Sequence, residues 1–317
     1  MDSIAPEILD RVRARVGQVI RRKYRVDSLL GVGGMASVFA VTHRNGSRAA
    51  LKVLHPELAQ SADIRSRFLR EGYVANRIDH PGVVRIIDDD DDDEFKTVFL
   101  VMELLDGETV ADRIVRSGGR LAVDHARDIA DRALDVLAAA HDEGVVHRDI
   151  KPENLFLTRS DELKVLDFGI ARVLDGTGGT RTGQLLGTPA FMSPEQAGGR
   201  VREIDARTDL WAVCALLFNL LSGSYVHDSQ HAMALLVYAA TQPARPIESV
   251  APSLPPGLAA VVNRALELDR EKRWPSARAM QSALRGKSSG AAQRARPVLE
   301  IGVKAQTLIQ GSGDPET

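Results

Sequence analysis

One cysteine, Cys214, occurs in 317 residues, so no intrachain disulfide can form and a reducing, cytoplasmic setting is expected. Cys214 sits in an apolar, helix-like run, the setting of a buried and inert thiol. Aromatic residues are only 4% of the chain, which leaves Leu, Val, Ile and Ala to build the core. A formal net charge of −2 gives no overall pull toward nucleic acid. The longest apolar run, 212–217 with its flanks, is too short for a bilayer, so no membrane segment is expected. The opening MDSIAPEILD lacks the apolar stretch of a signal peptide. Internal repeats are missing as well.

What is present is 44% hydrophobic content over a length able to bury a large core. The front third reads as strands, YRVDSLL, ASVFAVT and AALKVL, with Asn45-Gly46 as a turn between the last two. One helix, roughly 61–78, interrupts them before the breaker DHPG. Strands VVRII and TVFLVMEL follow, and from about 109 helical spacing dominates, apart from LFLT and LKVL. A small β-rich lobe leading into a larger helical one is the α+β outline.

Three local features carry chemistry. GVGGMA (31–36) is followed by extended SVFAVT, whereas a dinucleotide-binding loop must open a helix; a Gly-Lys-Ser/Thr phosphate loop is also absent. That leaves a flexible hairpin whose amides cover phosphates, or an ordinary glycine turn. In the 61–78 helix, Ile64, Phe68, Ala75 and Ile78 form one apolar stripe, and Glu71 falls on it. A carboxylate facing a core is costly unless paired, and Lys52, at the end of AAL, is its natural partner; the alternative is that Glu71 snorkels at the lobe edge.

The third feature is VVHRDIKPEN (145–154), which crowds His147, Arg148, Asp149, Lys151 and Asn154 between a helix pattern and strand LFLT. Asn154 precedes LFLT (155–158) and Asp167 follows LKVL (163–166), with RSDE reading as the turn between them. An antiparallel hairpin would make Asn154 and Asp167 neighbours at its open end, offering oxygen ligands suited to Mg²⁺. Asp149, five residues before Asn154, can reach the same place as a carboxylate base.

In order, the motifs GVGGMASV, AALK, REGYVANRIDHPGVV, VMELLDG, VVHRDIKPEN, LDFGIAR, GTPAFMSPEQ, TDLWAV and LDREKRW give the chain its resemblance. It resembles the Hanks-type (eukaryotic-like) bacterial serine/threonine protein kinases over residues 24–285. The resemblance implies a two-lobed kinase fold: a β-rich small lobe with one key helix (24–102), a hinge (103–108) and a mainly helical large lobe (109–285). A basic lead-in (1–23) and a tail (286–317) flank it.

The resemblance also assigns roles, with ATP and Mg²⁺ as cofactors and Mn²⁺ as a substitute. Leu30, Gly31, Val32, Gly33, Gly34, Met35, Ala36, Ser37 and Val38 would form the loop and strand edge over the nucleotide. Val38 and Ala50 would sandwich the adenine, Met102 would back its pocket, and Glu103 and Leu105 would supply the hinge backbone. Lys52, held by Glu71, would hold the α- and β-phosphates, while Asn154 and Asp167 bind the metal. Asp149 would orient the acceptor hydroxyl and take its proton, Lys151 would steady the γ-phosphate, and Thr188 would buttress both. Phe168 and Gly169 complete the DFG element, and Glu195 and Arg273 match an ion pair anchoring the activation segment.

Arg148 before Asp149 goes, in this family, with switching by activation-loop phosphorylation. Thr180 and Thr182, eight and six residues before Thr188, match the usual sites, with Thr177 beside them. Expected partners are proteins with Ser/Thr acceptors and a second copy for autophosphorylation. The alternative function is a pseudokinase scaffold that binds nucleotide without transfer; intact Lys52, Glu71, Asp149, Asn154 and Asp167 weigh against it.

Some features fall outside the family pattern. Ala36 stands for the last loop glycine and Cys214 where the family commonly has Gly. The seven acidic residues 88–94 read as a solvated turn, and the seven Arg/Lys within 11–25 as flanking the first strand. In the tail, Leu299, Ile301, Val303, Ala305 and Thr307 alternate with Glu300, Gly302, Lys304 and Gln306. That is strand periodicity over 298–309, suited to adding to a sheet edge or a partner.

Overall fold

The computed structural model describes residues 6–92, 96–168, 189–229 and 231–286. The small lobe opens with helix α1 (Pro6–Arg13) and a short strand β1 (Val19–Ile20). Strands β2 (Tyr24–Val32), β3 (Ala36–His43) and β4 (Arg48–Leu54) then run as an antiparallel meander. Helices α2 (Pro56–Ala59) and α3 (Ala62–Ala75) precede strands β5 (Ile86–Asp92) and β6 (Thr97–Met102). The resulting six-stranded sheet has the order β1-β2-β3-β4-β6-β5.

Register decides which residues face the cleft. Directly paired residues share a sheet face, and residues two apart on a strand do too. The pairs Val38↔Lys52 and Ala50↔Met102 therefore put four of the expected nucleotide contacts on one face. Phe39, Leu51, Val53 and Phe99 take the other face and pack with Val12 of α1 and Ile20 of β1. Residues 6–20, read from the sequence only as a basic lead-in, thus cover the outer face of the lobe. Ser37, paired with Val53, also turns to that outer face and is buried, so its side chain points away from the nucleotide face.

α3 begins at Ser61, whose hydroxyl caps the Ile64 amide at 3.4 Å. It ends three residues before the expected 78, where the Asn76 side chain bonds both the amide and carbonyl of Ile86. Gly72 lets the helix approach the sheet closely: a Cβ there would lie 3.0 Å from a Leu100 methyl.

The acidic run is a correction. Asp88–Asp92 belong to the edge strand β5, bonded in ladder fashion to β6, and do not form a turn. Main-chain pairing with a core strand is indifferent to charge on the exposed side chains, and charge on an edge discourages pairing with other chains. Arg21 bonds Asp90, Arg65 bonds Asp91 and the Tyr73 hydroxyl donates to Asp89, which relieves part of the repulsion.

The large lobe begins with strand β7 (Gly107–Thr109) and helices α4 (Val110–Arg116) and α5 (Val123–Asp142). Strands β8 (Leu155–Thr158) and β9 (Leu163–Val165) form a hairpin beside β7. Helices α6 (Pro194–Ala197), α7 (Ala206–Ser222), α8 (Ala232–Thr241), α9 (Pro256–Ala265) and α10 (Ala277–Leu284) complete it. α7 is the axis of the lobe: Thr208 through Leu221 are all buried. Asp205 caps its start, and Gly223, at φ 73°, closes its end in the left-handed conformation that glycine favours. Cys214 is buried in α7, where desolvation pushes its thiol pKa far up and keeps it unreactive. Among the described residues no helix is long and apolar enough to cross a membrane.

Candidate active site

Two alternations bring the first pair together. Lys52 stands on the cleft face of β4, and Glu71 lies on α3, which Gly72 allows against that face. Lys52 Nζ donates to Glu71 Oε1 at 3.1 Å and lies 2.7 Å from Asp167 Oδ1. Burial would depress the Lys52 pKa, but the carboxylates of Asp167 and Glu71 outweigh it and raise it, keeping the amine charged. Burial is also the main effect on Glu71 and lifts it to about 6, against the pull of Lys52. Asp167 ends below the usual carboxylate range: burial opposes this, but the Lys52 charge prevails.

The β8–β9 hairpin builds the second part. Leu155 pairs with Val165, and the Leu166 amide donates to the Asn154 carbonyl at 2.8 Å, so Asp167 emerges one residue beyond Asn154. The Asn154 amide group donates to the Asp149 carbonyl at 2.8 Å and to Asp149 Oδ2 at 2.9 Å. Its side-chain oxygen has no hydrogen-bond partner among the described residues. Lys151 Nζ lies 3.2 Å from Asp149 Oδ2. One carboxylate oxygen of Asp149 is thus held by both neighbours.

The loop carrying Asp149 is itself held by a residue that the motif reading quoted but gave no role. Asp209, buried in α7, accepts the His147 and Arg148 amides at 2.8 Å each and the His141 ring at 2.8 Å. The His147 ring donates through Nε2 to the Leu166 carbonyl at 2.9 Å and packs 4.8 Å from Phe168. Arg148 has φ 67° and Asp167 φ 51°, conformations non-glycine residues rarely adopt. Such strain persists where surroundings over-determine it, here through Asp209 and the Gln196 amide bonding the Arg148 carbonyl at 2.7 Å.

At the hinge, the Glu103 amide donates to the Arg85 carbonyl at 3.0 Å. The Glu103 carboxylate accepts from Lys164 Nζ and the Arg85 amide, each at 2.9 Å. The Glu103 carbonyl and Leu105 amide carry no hydrogen bond among the described residues, which leaves an acceptor and a donor two residues apart. Leu30 is exposed on β2, and the Gly33 amide closes the loop turn on the Ala36 carbonyl at 2.8 Å. Gly169, Thr177, Thr180, Thr182 and Thr188 lie outside the described residues, as does the 298–309 segment.

Below the site, Arg273 and Glu195 meet side-on at 3.0 and 2.9 Å, both almost wholly buried. Thr208 also donates to Glu195 at 2.7 Å. Burial works against ionised Glu195, yet the Arg273 bonds hold its pKa below the ordinary value.

Comparison with known proteins shows the family of the chain. The serine/threonine-protein kinase PksC of Streptomyces coelicolor is 40% identical over 268 residues, covering 82% of this chain and 48% of that protein. The serine/threonine-protein kinase pkn2 of Myxococcus xanthus is 36% identical over 275 residues, covering 84% of this chain and 32% of that one. The chain thus spans half or less of these relatives. The crystal structure of the Mycobacterium tuberculosis PknI kinase domain is 28% identical and superposes with a TM-score of 0.67, covering 86% of this chain and 98% of that chain. Residues 24–284 match the family model of the protein kinase domain, and the chain belongs to that family.

Proposed function

We propose that this chain transfers the γ-phosphoryl group of ATP to serine and threonine hydroxyls of proteins. The observation that carries the reading is the convergence of Lys52, Glu71 and Asp167 within ion-pair distance at the open end of the β8–β9 hairpin, beside the Asn154–Asp149 hydrogen bond. Membership of the family implies use of ATP and a divalent metal generally. The donor set fits Mg²⁺: Asp167 offers a carboxylate, Asn154 an amide oxygen that no described residue engages, and hard oxygen donors with phosphate are what that ion takes. Among the described residues no cluster of three or more His, Cys, Asp or Glu is placed to hold a metal ion. When bound, the metal neutralises phosphate charge.

The residues divide the remaining work. Lys52 pairs with the α- and β-phosphates, and Glu71 keeps its amine in line. The Glu103 carbonyl and Leu105 amide bond the adenine edge, with Val38, Ala50 and Met102 around the ring. Asp149 orients the acceptor hydroxyl and takes its proton as the oxygen bonds to the γ-phosphorus. The bridging P–O bond breaks, and its electron pair leaves with ADP. Lys151 balances charge on the transferred group. Positioning and charge neutralisation dominate such transfers. The test is incubation with γ-labelled Mg–ATP and a generic basic protein; label on its Ser or Thr is expected, and none would defeat the reading.

Activity should fall as pH drops through about 6, because protonating Glu71 removes the carboxylate that holds Lys52. The pH dependence of kcat/KM checks this. Glu71→Gln should be slower at pH 7.5 and lack that acidic limb relative to wild type; an identical limb would assign it to another group.

Autophosphorylation at Thr180 and Thr182, with Thr177 as a further acceptor, is the proposed regulation. Arg148 supports it: its Nε is buried without a hydrogen-bond partner among the described residues, a charge awaiting an anion. Intact-mass analysis after Mg–ATP should find added phosphate within 177–182. Thr180→Ala with Thr182→Ala should then lower activity about tenfold, the worth of one charge-assisted bond. An unmodified wild-type loop would refute the switch.

A further inference from the structure

The phosphate-covering loop has two glycines, Gly33 and Gly34, between β2 and β3 and a third, Gly31, at the end of β2, which leaves it costly to hold in one position. One residue outside the loop grips it twice. The His55 amide donates to the Met35 carbonyl at 2.8 Å, and its ring Nε2 lies 3.4 Å from the Ser37 hydroxyl. His55 is buried, at the junction of β4 and α2. Its ring shares a recess with Ser37, Phe39 and Val53, closed from outside by Arg11, Val12 and Arg15. Arg11 is in turn tied to Glu57, two residues past His55. Burial, with Arg11 and Arg15 near, keeps His55 below the usual imidazole pKa despite the Ala36 carbonyl and Glu57. The ring is therefore neutral at pH 7 and keeps one nitrogen as an acceptor.

Resting on the kinase reading above, we propose that His55 is a positioning residue for the nucleotide, latching the root of the glycine loop to β4 under the cover of α1. Ser37 belongs to this latch: its side chain faces His55 and the outer face, so its part in nucleotide binding is indirect. The segment before the family match thereby acts on ATP affinity without touching ATP.

The latch fixes the loop, not the chemistry, which dictates a split in the kinetics. His55→Ala should raise KM for ATP about five- to tenfold, the worth of one modest hydrogen bond. Its kcat at saturating ATP and KM for the protein substrate should stay within about twofold of wild type. His55→Gln, whose amide can reach Ser37, should recover most of the ATP affinity. Ser37→Ala should match His55→Ala, and the double variant should add little. Mg–ATP binding, titrated directly on the same proteins, gives a readout independent of turnover.

An unchanged ATP KM and dissociation constant in His55→Ala would overturn the latch while leaving the kinase reading intact. So would a His55→Gln protein as impaired as His55→Ala in all parameters, since that is loss of packing alone. A wild type that binds Mg–ATP but transfers nothing refutes the catalytic reading, and the binding comparison then decides the latch. A wild type that binds no nucleotide refutes both.

Discussion

Asp149→Asn is expected to lower kcat by about 10²–10⁴-fold, the usual contribution of a general base, while Mg–ATP affinity stays within about threefold. The geometry explains the split. Asp149 Oδ2 sits between the Asn154 amide at 2.9 Å and Lys151 Nζ at 3.2 Å, and neither contact reaches toward Lys52 or the hinge. An amide of the same shape can still offer an oxygen to both donors, so the loop keeps its form. It cannot take a proton, and it removes the charge nearest to the Lys151 amine. The fold should tolerate the change, because the loop is held through the His147 and Arg148 amides by Asp209. Labelled-phosphate transfer, nucleotide titration and the melting temperature together check it. A kcat within tenfold of wild type would mean that Asp149 is not the base; an inactive wild type with intact nucleotide binding would favour the scaffold reading.

What could be read beforehand followed from side chains whose type conflicted with their position. Glu71 on an apolar stripe required a cation, and Lys52 answers it at 3.1 Å. Asn154 and Asp167 bracket a hairpin, and strand pairing alone makes them neighbours. Asp209 escaped because two of its three partners are the backbone amides of His147 and Arg148, and main-chain groups leave no mark in a sequence. The acidic strand escaped because charge density reads as solvent, whereas an edge strand needs only its backbone. α1 and β1 were read too weakly because, among their described side chains, Val12 and Ile20 alone join the hydrophobic core. Glu103 shows the same limit: its carboxylate fixes the hinge through Lys164, a pairing across 61 residues that no spacing rule anticipates.

Arg273→Ala should be the most destabilising of these substitutions. The guanidinium is fully buried and bonds Glu195 with two parallel contacts of 3.0 and 2.9 Å. It also donates to the Glu267 carbonyl at 2.9 Å and lies over the Trp211 ring at 5.0 Å. Removing it strands an ionised carboxylate whose remaining side-chain donor is Thr208, and opens a cavity beside α7. Breaking one side of a buried pair costs about 3–5 kcal/mol. For a domain of this size that is a fall in melting temperature of roughly 6–20 °C. Pairing Arg273→Met with Glu195→Gln should return much of the loss, since no buried charge is then unpaired. Stability and activity should separate in that double variant. Glu195 lies in the first turn of α6, whose Gln196 holds the Arg148 carbonyl at 2.7 Å, so the ion pair also fixes the strained residue beside the catalytic loop. The double variant should therefore remain slower than wild type at temperatures where both are folded. Thermal melts and kcat measured at 25 °C decide the matter. A melting temperature for Arg273→Ala within 2 °C of wild type would mean that water reaches Glu195, and full activity in the double variant would confine the pair to stability.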